Sequence, residues 1–230
     1  MDEPGVRVIP ANEYRRTRWR NGGGWTREIL AVPEASSGPP GSPGPAGLAD
    51  PEPSQRADWD LRLSIAEIDA SAGFSPFPGV EREQLLLSGN GLRLEFDDGG
   101  RIELLPPHQR ARFGGARAVT GIPLDGPVQV FNLMWRADAL AATLLHRPLV
   151  GGMWCFCDLR TAWAVHVLAG AAQLATDSGG AVMLAQGDSA WLAPGPERRR
   201  HGLEGGGELL LVQVQWPGSV PASAAGGGVA

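Results

Sequence analysis

The residues most suited to binding an anion lie in the segment W-R-N-G-G-G-W-T-R-E, residues 19–28. Glycine has no Cβ and tolerates positive φ, so several backbone N–H groups of the segment Asn21, Gly22, Gly23 and Gly24 could be exposed at this turn. A concavity lined by such N–H groups suits a carboxylate or a similar anion. The alternative is that the glycines form only a hairpin turn or a bulge. The segment therefore predicts either an anion site or a structural turn.

Polar side chains continue beyond the glycines. If residues 25–30 form a strand, successive side chains alternate between its two faces. Thr26 and Glu28 then share one face, and Arg27 lies on the other. We predict that these three residues supply part of the polar lining of a cavity. The strand register decides which of them point inward.

A second polar face is predicted on the next strand. The segment W-D-L-R-L-S-I, residues 59–65, alternates without a break and puts Arg62 and Ser64 on its polar face, with Glu67 following. An arginine enclosed on such a face would hold a carboxylate in a bidentate clamp. The alternative is a structural ion pair between Arg62 and Glu28 or Glu67.

One amide interrupts an otherwise apolar segment. Asn132 shares a face with Val130 and Met134 in the predicted strand 128–136. Because buried amides need hydrogen-bond partners, Asn132 is satisfied by backbone or lines a polar cavity.

Composition excludes several classes of function. The chain has 230 residues and a net charge of -5, and all 20 of its cationic residues are arginine. This balance argues against a nucleic-acid-binding protein, and the absence of lysine removes Schiff-base chemistry. No apolar run reaches the length of a membrane span, and the amino-terminal residues do not resemble a signal peptide, so we expect no membrane association and a cytoplasmic location.

The remaining pattern predicts an all-β fold. Short alternating segments separated by Gly, Asn and Asp turns recur at the spacing typical of sandwiches and barrels. Helical periodicity is scarce; residues 137–145 fit a short helix or a strand. Residues 33–57 are rich in Pro, Gly, Ser and Ala, and we predict a disordered insertion there between two strands. We also predict a disordered tail over 217–230.

A weak internal repeat suggests duplication. The block that begins at Leu86 is followed, 80 to 81 residues later, by a similar block that begins at Val167, and each has a Gly-Gly tip. This layout resembles the cupin jelly roll, and two copies predict a bicupin-like double jelly roll. We place the halves at residues 6–136 and 137–216.

Metal ligation is not expected. A metal-dependent cupin would carry an H-x-H pair, a glutamate and a third histidine. The four histidines are too far apart in the sequence for such a pair, and a three-ligand site assembled from distant histidines is the less favoured alternative. Cys155 and Cys157 are predicted to be buried, reduced thiols. We therefore expect no catalytic metal and no cofactor.

Five ordered motifs give the sequence a family resemblance. They are W-R-N-G-G-G-W-T-R-E-I, W-D-L-R-L-S-I-A-E-I, F-S-P-F-P-G-V-E-R, L-L-L-S-G-N-G-L-R-L and F-N-L-M-W-R. In this order they resemble the HutD/Ves family over roughly residues 6–216. The motif positions carried over are Asn21, Gly22, Gly23, Thr26, Arg27, Glu28, Arg62, Ser64, Glu67, Phe74, Ser75, Phe77 and Asn132.

The resemblance implies a bicupin-like, cytoplasmic bacterial protein with relatives in histidine-utilisation operons and in environmental stress. It suggests a small carboxylate ligand such as urocanate or a formylated glutamate derivative. Our first hypothesis is a metal-free binder with a regulatory or accessory role, which would form a homodimer through a sheet edge. The alternative is a metal-free isomerase, epimerase or lyase that uses Glu28 or Glu67 as general base.

Overall fold

The computed structural model of the chain describes residues 5–33, 59–175 and 180–217. The predicted disordered insertion at 33–57 and the predicted tail at 217–230 lie outside these residues, apart from the first residue of each.

Strands dominate the described residues, as predicted. The one helical element there is a 3₁₀ helix at Ala11–Glu13, and nothing in the described ranges is a helix of the length and apolarity that a membrane span requires. In chain order the strands are β1 Val6–Ile9, β2 Arg15–Arg18, β3 Gly24–Pro33, β4 Trp59–Ile68, β5 Ala72–Phe74, β6 Val80–Ser88, β7 Leu92–Phe96, β8 Arg101–Leu104, β9 Arg110–Gly114, β10 Val119–Pro123, β11 Val128–Arg136, β12 Ala141–Cys157, β13 Thr161–Ala175, β14 Ala181–Ala185, β15 Ser189–Leu192 and β16 Arg199–Gln215.

These strands form three antiparallel sheets. Sheet A has the order β1-β15-β13-β16-β12, with β14 added on β13. Sheet B has the order β2-β3-β4-β11-β6-β9, and sheet C has the order β5-β10-β7-β8. The first strand departs from the predicted division into halves, because Val6 pairs with Leu192 and β1 thereby joins the carboxy-terminal sheet.

Sheet B is the central layer. One face, which carries Leu63, Phe131 and Leu133, packs on Ala164 and Val212 of sheet A. The opposite face contributes apolar side chains to a second core, shared with sheet C. A third core lies within sheet A, whose longest strands have 15 to 17 residues. The inner strands of sheet B, β4, β11 and β6, therefore present one face to each neighbouring sheet.

The predicted repeat is visible in the strand registers. Leu92 of β7 pairs with Leu104 of β8, and Ala172 of β13 pairs with Leu184 of β14. Both members of the second pair lie 80 residues after those of the first, so the two hairpins have the same register. The predicted tip-containing hairpin thus occurs twice in the fold.

The segment 137–145 is strand from Ala141 onward. Ala142 and Leu144 are buried against sheet B, whereas Ala141 and Thr143 are exposed. This burial pattern has the period of two that a strand requires, and it excludes the helical alternative for these residues.

Candidate functional site

A cleft of about 400 Å³ opens on the face of sheet B that is directed towards sheet C. Along β4, Ile68 and Ala66 belong to the apolar core, but Ser64 and Arg62 on the same face line the cleft. Strands β6 and β11 change from apolar to polar side chains at the same level. The aromatic side chains of Phe74, the last residue of β5, and Phe77, in the segment after it, border the cleft on the other side.

The cleft brings together only part of the predicted set. The predicted residues that line it are Asn21, Thr26, Arg62, Ser64, Phe77 and Asn132. The predicted residues that are not among its lining are Gly22, Gly23, Arg27, Glu28 and Glu67. Arg82 and Gln84, which the sequence analysis did not select, also line it.

Strand register explains why these residues meet. Asn132 on β11 pairs with Ser64 on β4 and with Gln84 on β6. Two residues after Asn132 on β11, Met134 pairs with Arg62 on β4 and with Arg82 on β6. Directly paired residues on adjacent strands project on the same side of the sheet. One polar row therefore crosses three strands, and in the next row an arginine lies on each side of Met134.

Asn132 is the centre of a hydrogen-bonded network. Its Oδ1 accepts from Arg82 Nη2 at 3.2 Å and from Gln84 Nε2 at 3.4 Å. Its Nδ2 donates to Ser64 Oγ at 3.4 Å. These contacts fix the orientation of the amide. Of the two alternatives for Asn132, satisfaction by backbone or a place in the lining of a polar cavity, the structure shows the second.

Arg82 is a buried cation whose charge no carboxylate balances. Its residue is 6% exposed, and it makes no ion pair within the described part of the chain. Burial, followed by the nearby charge of Arg62, lowers the pKa of the Arg82 guanidinium to about 10. The guanidinium carbon Cζ of Arg82 lies 5.3 Å from the centroid of the Phe74 ring and 5.4 Å from that of the Phe113 ring. Arg82 Nε and Gln84 Oε1 are buried and have no hydrogen-bond partner in the part of the chain that the structure describes.

Arg62 differs from Arg82 because it already has a carboxylate partner. Its Nε donates to Glu28 Oε2 at 2.8 Å, and Glu28 Oε1 accepts from Arg15 Nη2 at 2.9 Å. The structural ion-pair alternative is therefore the correct one for Arg62. This pairing leaves Arg82 as the stronger candidate for an anion clamp.

Arg27 and Glu67 form a separate ion-paired group. Arg27 Nε lies 2.9 Å from Glu67 Oε1, and Arg16 Nη2 lies 2.7 Å from Glu67 Oε2. Arg27 borders a different cavity, of about 360 Å³, together with His166 of sheet A. Of the polar residues predicted on β3, Thr26 therefore lines the cleft and Arg27 does not.

The glycine turn positions cleft residues, but the N–H groups of Gly22 and Gly23 are used within the turn. The N–H of Gly22 donates to Trp19 O at 3.0 Å, and that of Gly23 donates to Asn21 Oδ1 at 3.1 Å. A Cβ at Gly24 would lie 2.2 Å from Glu67 O. The expectation of exposed N–H groups is wrong for Gly22 and Gly23, because the turn uses them internally. Close packing on the backbone of β4 explains why residue 24 is a glycine.

The polar row has an apolar counterpart in the second half. In sheet A, Leu211 on β16 pairs with Leu145 on β12 and with Val165 on β13. These residues lie 79 to 81 positions after Asn132, Ser64 and Gln84, on strands that have the same order in their sheet. They belong to the core of sheet A or pack against it. The fold therefore accepts apolar residues at this level, so the polarity of the cleft requires another explanation.

The cysteines lie far from this chemistry. Cys155 and Cys157 are buried free thiols, as predicted. Burial raises the pKa of Cys155 to about 12 and that of Cys157 to about 11. Both therefore remain unreactive thiols at neutral pH.

Comparison with known proteins identifies the family. The family model described as HutD matches residues 11–211. The chain belongs to the HutD family. The resemblance based on the sequence motifs is thereby confirmed.

Curated relatives match part of this HutD-family chain. The "Uncharacterized 21.2 kDa protein in hutC 3'region" of Pseudomonas putida is 32% identical over 139 residues, which are 60% of this chain and 63% of the relative. "Protein Ves" of Citrobacter koseri is 33% identical over 138 residues, 60% of this chain and 59% of the relative. The chain thus spans about three fifths of the length of these curated relatives.

Solved structures extend the similarity to nearly the whole chain. HutD from Pseudomonas fluorescens SBW25, in its formate condition, is 27% identical, with a TM-score of 0.69 and coverage of 93% of this chain and 100% of that one. A cupin 2 conserved barrel domain protein from Leptotrichia buccalis is 10% identical, with a TM-score of 0.54 and coverage of 92% and 96%. This HutD-family protein therefore has an all-β fold with cupin-like neighbours.

The sequence contained a weak signal for the residues that were missed. Arg82 ends the quoted motif F-S-P-F-P-G-V-E-R, and Gln84 follows it by two positions. However, residues 81–84 read E-R-E-Q, and polar side chains on both faces hide the alternation that would assign an inner face. Burial in the folded sheet resolves the assignment.

Proposed function

We propose that the cleft binds a small carboxylate metabolite and that the protein has a regulatory or accessory role. The observation that carries the proposal is Arg82, a buried guanidinium without a carboxylate partner among the described residues. Burying an unbalanced charge is unfavourable, and a bound carboxylate removes that imbalance. Planar, two-oxygen anions match the donor geometry of arginine.

The surrounding side chains suit a small, partly apolar acid. The Asn132 network supplies fixed polar groups beside Arg82, and Gln84 Oε1 is an acceptor without a partner. Phe74 and Phe77 supply apolar contact area on the opposite side. An acid with a carboxylate at one end and a planar or apolar body meets both requirements.

Family context narrows the choice of acids for a first screen. A relative lies in the hutC 3' region, and the Pseudomonas fluorescens HutD structure comes from a formate condition, formate being the simplest carboxylate. We therefore propose urocanate and formylated or formimino derivatives of glutamate as candidate ligands, in a role linked to histidine utilisation.

Catalysis by a glutamate is the less favoured function. Glu28 and Glu67 were the candidate general bases, and neither is among the residues that line the cleft. Each is held by two arginines, so neither carboxylate is oriented towards a ligand in the cleft. Binding without turnover fits this arrangement better.

The proposal includes the expected setting of the protein. We propose that the duplicated registers reflect a double jelly roll and that the protein acts in the cytoplasm. We also propose a homodimer through the outer edge of β12, which pairs with β16 on one side within the described residues. Sedimentation velocity tests the dimer, and a monomer at micromolar concentration contradicts it.

A thermal-shift screen tests the binding proposal. The acids are formate, urocanate, formylglutamate, formiminoglutamate, glutamate and simple dicarboxylates, each with and without EDTA. A ligand at a hundredfold excess over its Kd stabilises the fold by about 2.7 kcal/mol. We expect one acid to raise Tm, with or without EDTA, in the wild type but not in Arg82→Met.

The matched control is Arg101→Met, which removes the same charge from an exposed position in sheet C. This variant should respond to the acid as the wild type does. Arg82 would be excluded as the clamp if no acid raised the Tm of the wild type. It would also be excluded if the acid raised the Tm of Arg82→Met as much as that of Arg101→Met. Incubation of the hit with the wild type, followed by chromatography, tests for turnover.

A further inference from the structure

Two distant histidines and a glutamate converge away from the cleft. Glu208 Oε2 lies 2.8 Å from His146 Nε2 and 3.8 Å from His108 Nε2. The ring centroids of the two histidines are 4.9 Å apart. One nitrogen or oxygen from each residue lies within 4.8 Å of the others, and within the described ranges this is the one such group of three.

The three side chains come from different parts of the fold. His108 lies in the turn between β8 and β9, whereas His146 and Glu208 lie on the paired strands β12 and β16 of sheet A. The two sheet A residues project on the face that packs towards sheet B. Their meeting point with His108 is therefore at the contact between the two halves of the molecule.

The His108 ring is held in one orientation. His108 has a φ of 52°, in the left-handed region that non-glycine residues rarely adopt. Its Nδ1 lies 3.0 Å from Leu86 O, and because a carbonyl only accepts, Nδ1 carries the proton. Nε2 is therefore the ring nitrogen that can bind a metal ion, and it lies 3.8 Å from Glu208 Oε2. A histidine whose other nitrogen is fixed by a carbonyl is the usual arrangement of a metal ligand.

The separations between these atoms suit a shared metal ion. His108 Nε2 and a Glu208 oxygen lie 3.8 Å apart, which is too long for a direct hydrogen bond and close to the spacing of two ligand atoms on one metal ion. Tetrahedral zinc with bonds near 2.0–2.1 Å separates its ligand atoms by about 3.4 Å. The two observed separations, 2.8 and 3.8 Å, bracket this value. His108 and Glu208 also border the cavity of about 360 Å³, which has room for a water ligand.

We propose that His108, His146 and Glu208 bind one divalent zinc-class ion that links the two halves of the protein. Two imidazoles and a carboxylate form an established zinc ligand set, and water completes the coordination. The site is separate from the Arg82 cleft and supplies no ligand to it. The two proposals can therefore fail independently.

Metal content and stability test the site. Tag-free full-length protein is stripped with EDTA, incubated with ZnCl₂ and desalted, and bound zinc is measured by atomic absorption. We expect about one zinc per chain, an increase in Tm on zinc addition, and affinity reduced by more than about tenfold in His146→Ala and Glu208→Gln. Glu204→Gln removes an exposed carboxylate four residues earlier on β16 and should bind zinc as the wild type does.

His146 is exposed, so His146→Ala is expected to fold normally, and the Tm of the zinc-free variants verifies this. Wild-type protein without bound zinc, or His146→Ala and Glu208→Gln with wild-type affinity, would overturn the proposal. If zinc is retained only by the wild type and Glu204→Gln while no acid binds, the metal site stands and the proposed cleft function fails.

Discussion

At the scale of single residues, Arg82 is the least expected feature of the molecule. It is more deeply buried than Arg62, yet Arg62 has the carboxylate partner. A charge buried for structural reasons is normally paired, because an unpaired one destabilises the fold. Arg82 instead contacts the Asn132 amide and two aromatic rings. This arrangement is typical of a binding site, where a charge that lowers the stability of the free protein is kept because it binds a ligand.

Arg82→Met should therefore stabilise the ligand-free protein. Met fills a similar volume without a charge, and we expect the free energy of unfolding to rise by about 1–3 kcal/mol. Urea unfolding at pH 7 measures this free energy for Arg82→Met and for Arg101→Met, the control at an exposed position. A decrease of more than about 1 kcal/mol would instead show that Arg82 is a structural residue.

At the scale of elements, the glycine turn sets the position of the cleft mouth. The turn lies between β2 and β3 and carries Trp19 and Asn21. Asn21 Nδ2 donates to Gly73 O at 3.0 Å. Trp19 Nε1 donates to Thr26 Oγ1 at 2.8 Å. Because Gly24 packs directly on the backbone of β4, the whole turn is held against its neighbours.

Gly24→Ala should disturb this packing. Its Cβ would lie 2.2 Å from Glu67 O, and backbone cannot move as a side-chain end can. We expect a loss of about 1–3 kcal/mol in the free energy of unfolding and a smaller ligand-induced Tm shift.

Gly114→Ala on β9 is the control, because nothing lies within 4 Å of its added Cβ. We expect this variant to remain within about 0.5 kcal/mol of wild type. Urea unfolding compares the two variants, and equal losses would contradict the packing explanation.

At the scale of the whole molecule, a buried polar group lies where the halves meet. His166 of sheet A is 5% exposed and lies 5.6 Å, centroid to centroid, from the Phe131 ring of sheet B. Its Nδ1 lies 3.0 Å from Ser189 Oγ, which in turn contacts the Tyr14 hydroxyl at 2.7 Å. Burial, then the charge of Arg27, lowers the pKa of His166 to about 4, against a smaller opposing effect of Asp188.

His166 should make the fold sensitive to acid. Its pKa is lower when folded than the usual 6.5, so the unfolded chain takes up a proton first. Stability should fall as the pH decreases from about 6.5 to about 4, by about 3 kcal/mol in total. The free energy of unfolding measured at pH 7.5 and pH 4.5 should differ less in His166→Gln than in wild type. An identical difference would contradict the assignment.

Local pattern was sufficient for the fold class and for much of the cleft. Alternation at 59–65 correctly grouped Arg62 with Ser64, whereas the apolar surroundings of Asn132 left two alternatives, between which only the cleft decided. The failures have physical causes. Arg27 and Glu67 were included although their mutual ion pair lies away from the cleft, and the turn amides were assigned to a ligand although the turn itself uses them.

The sequence by itself determined the all-β class, the family, the duplicated hairpin and the polar segments, since alternation and turn residues are local properties of the chain. Only the tertiary structure decided that Arg62 has a carboxylate partner while Arg82 has none among the described residues, and that His108 meets His146 and Glu208. Both results depend on strand register and on contact between halves. Pairing between strands distant in sequence sets these relations, and no spacing along the chain encodes them.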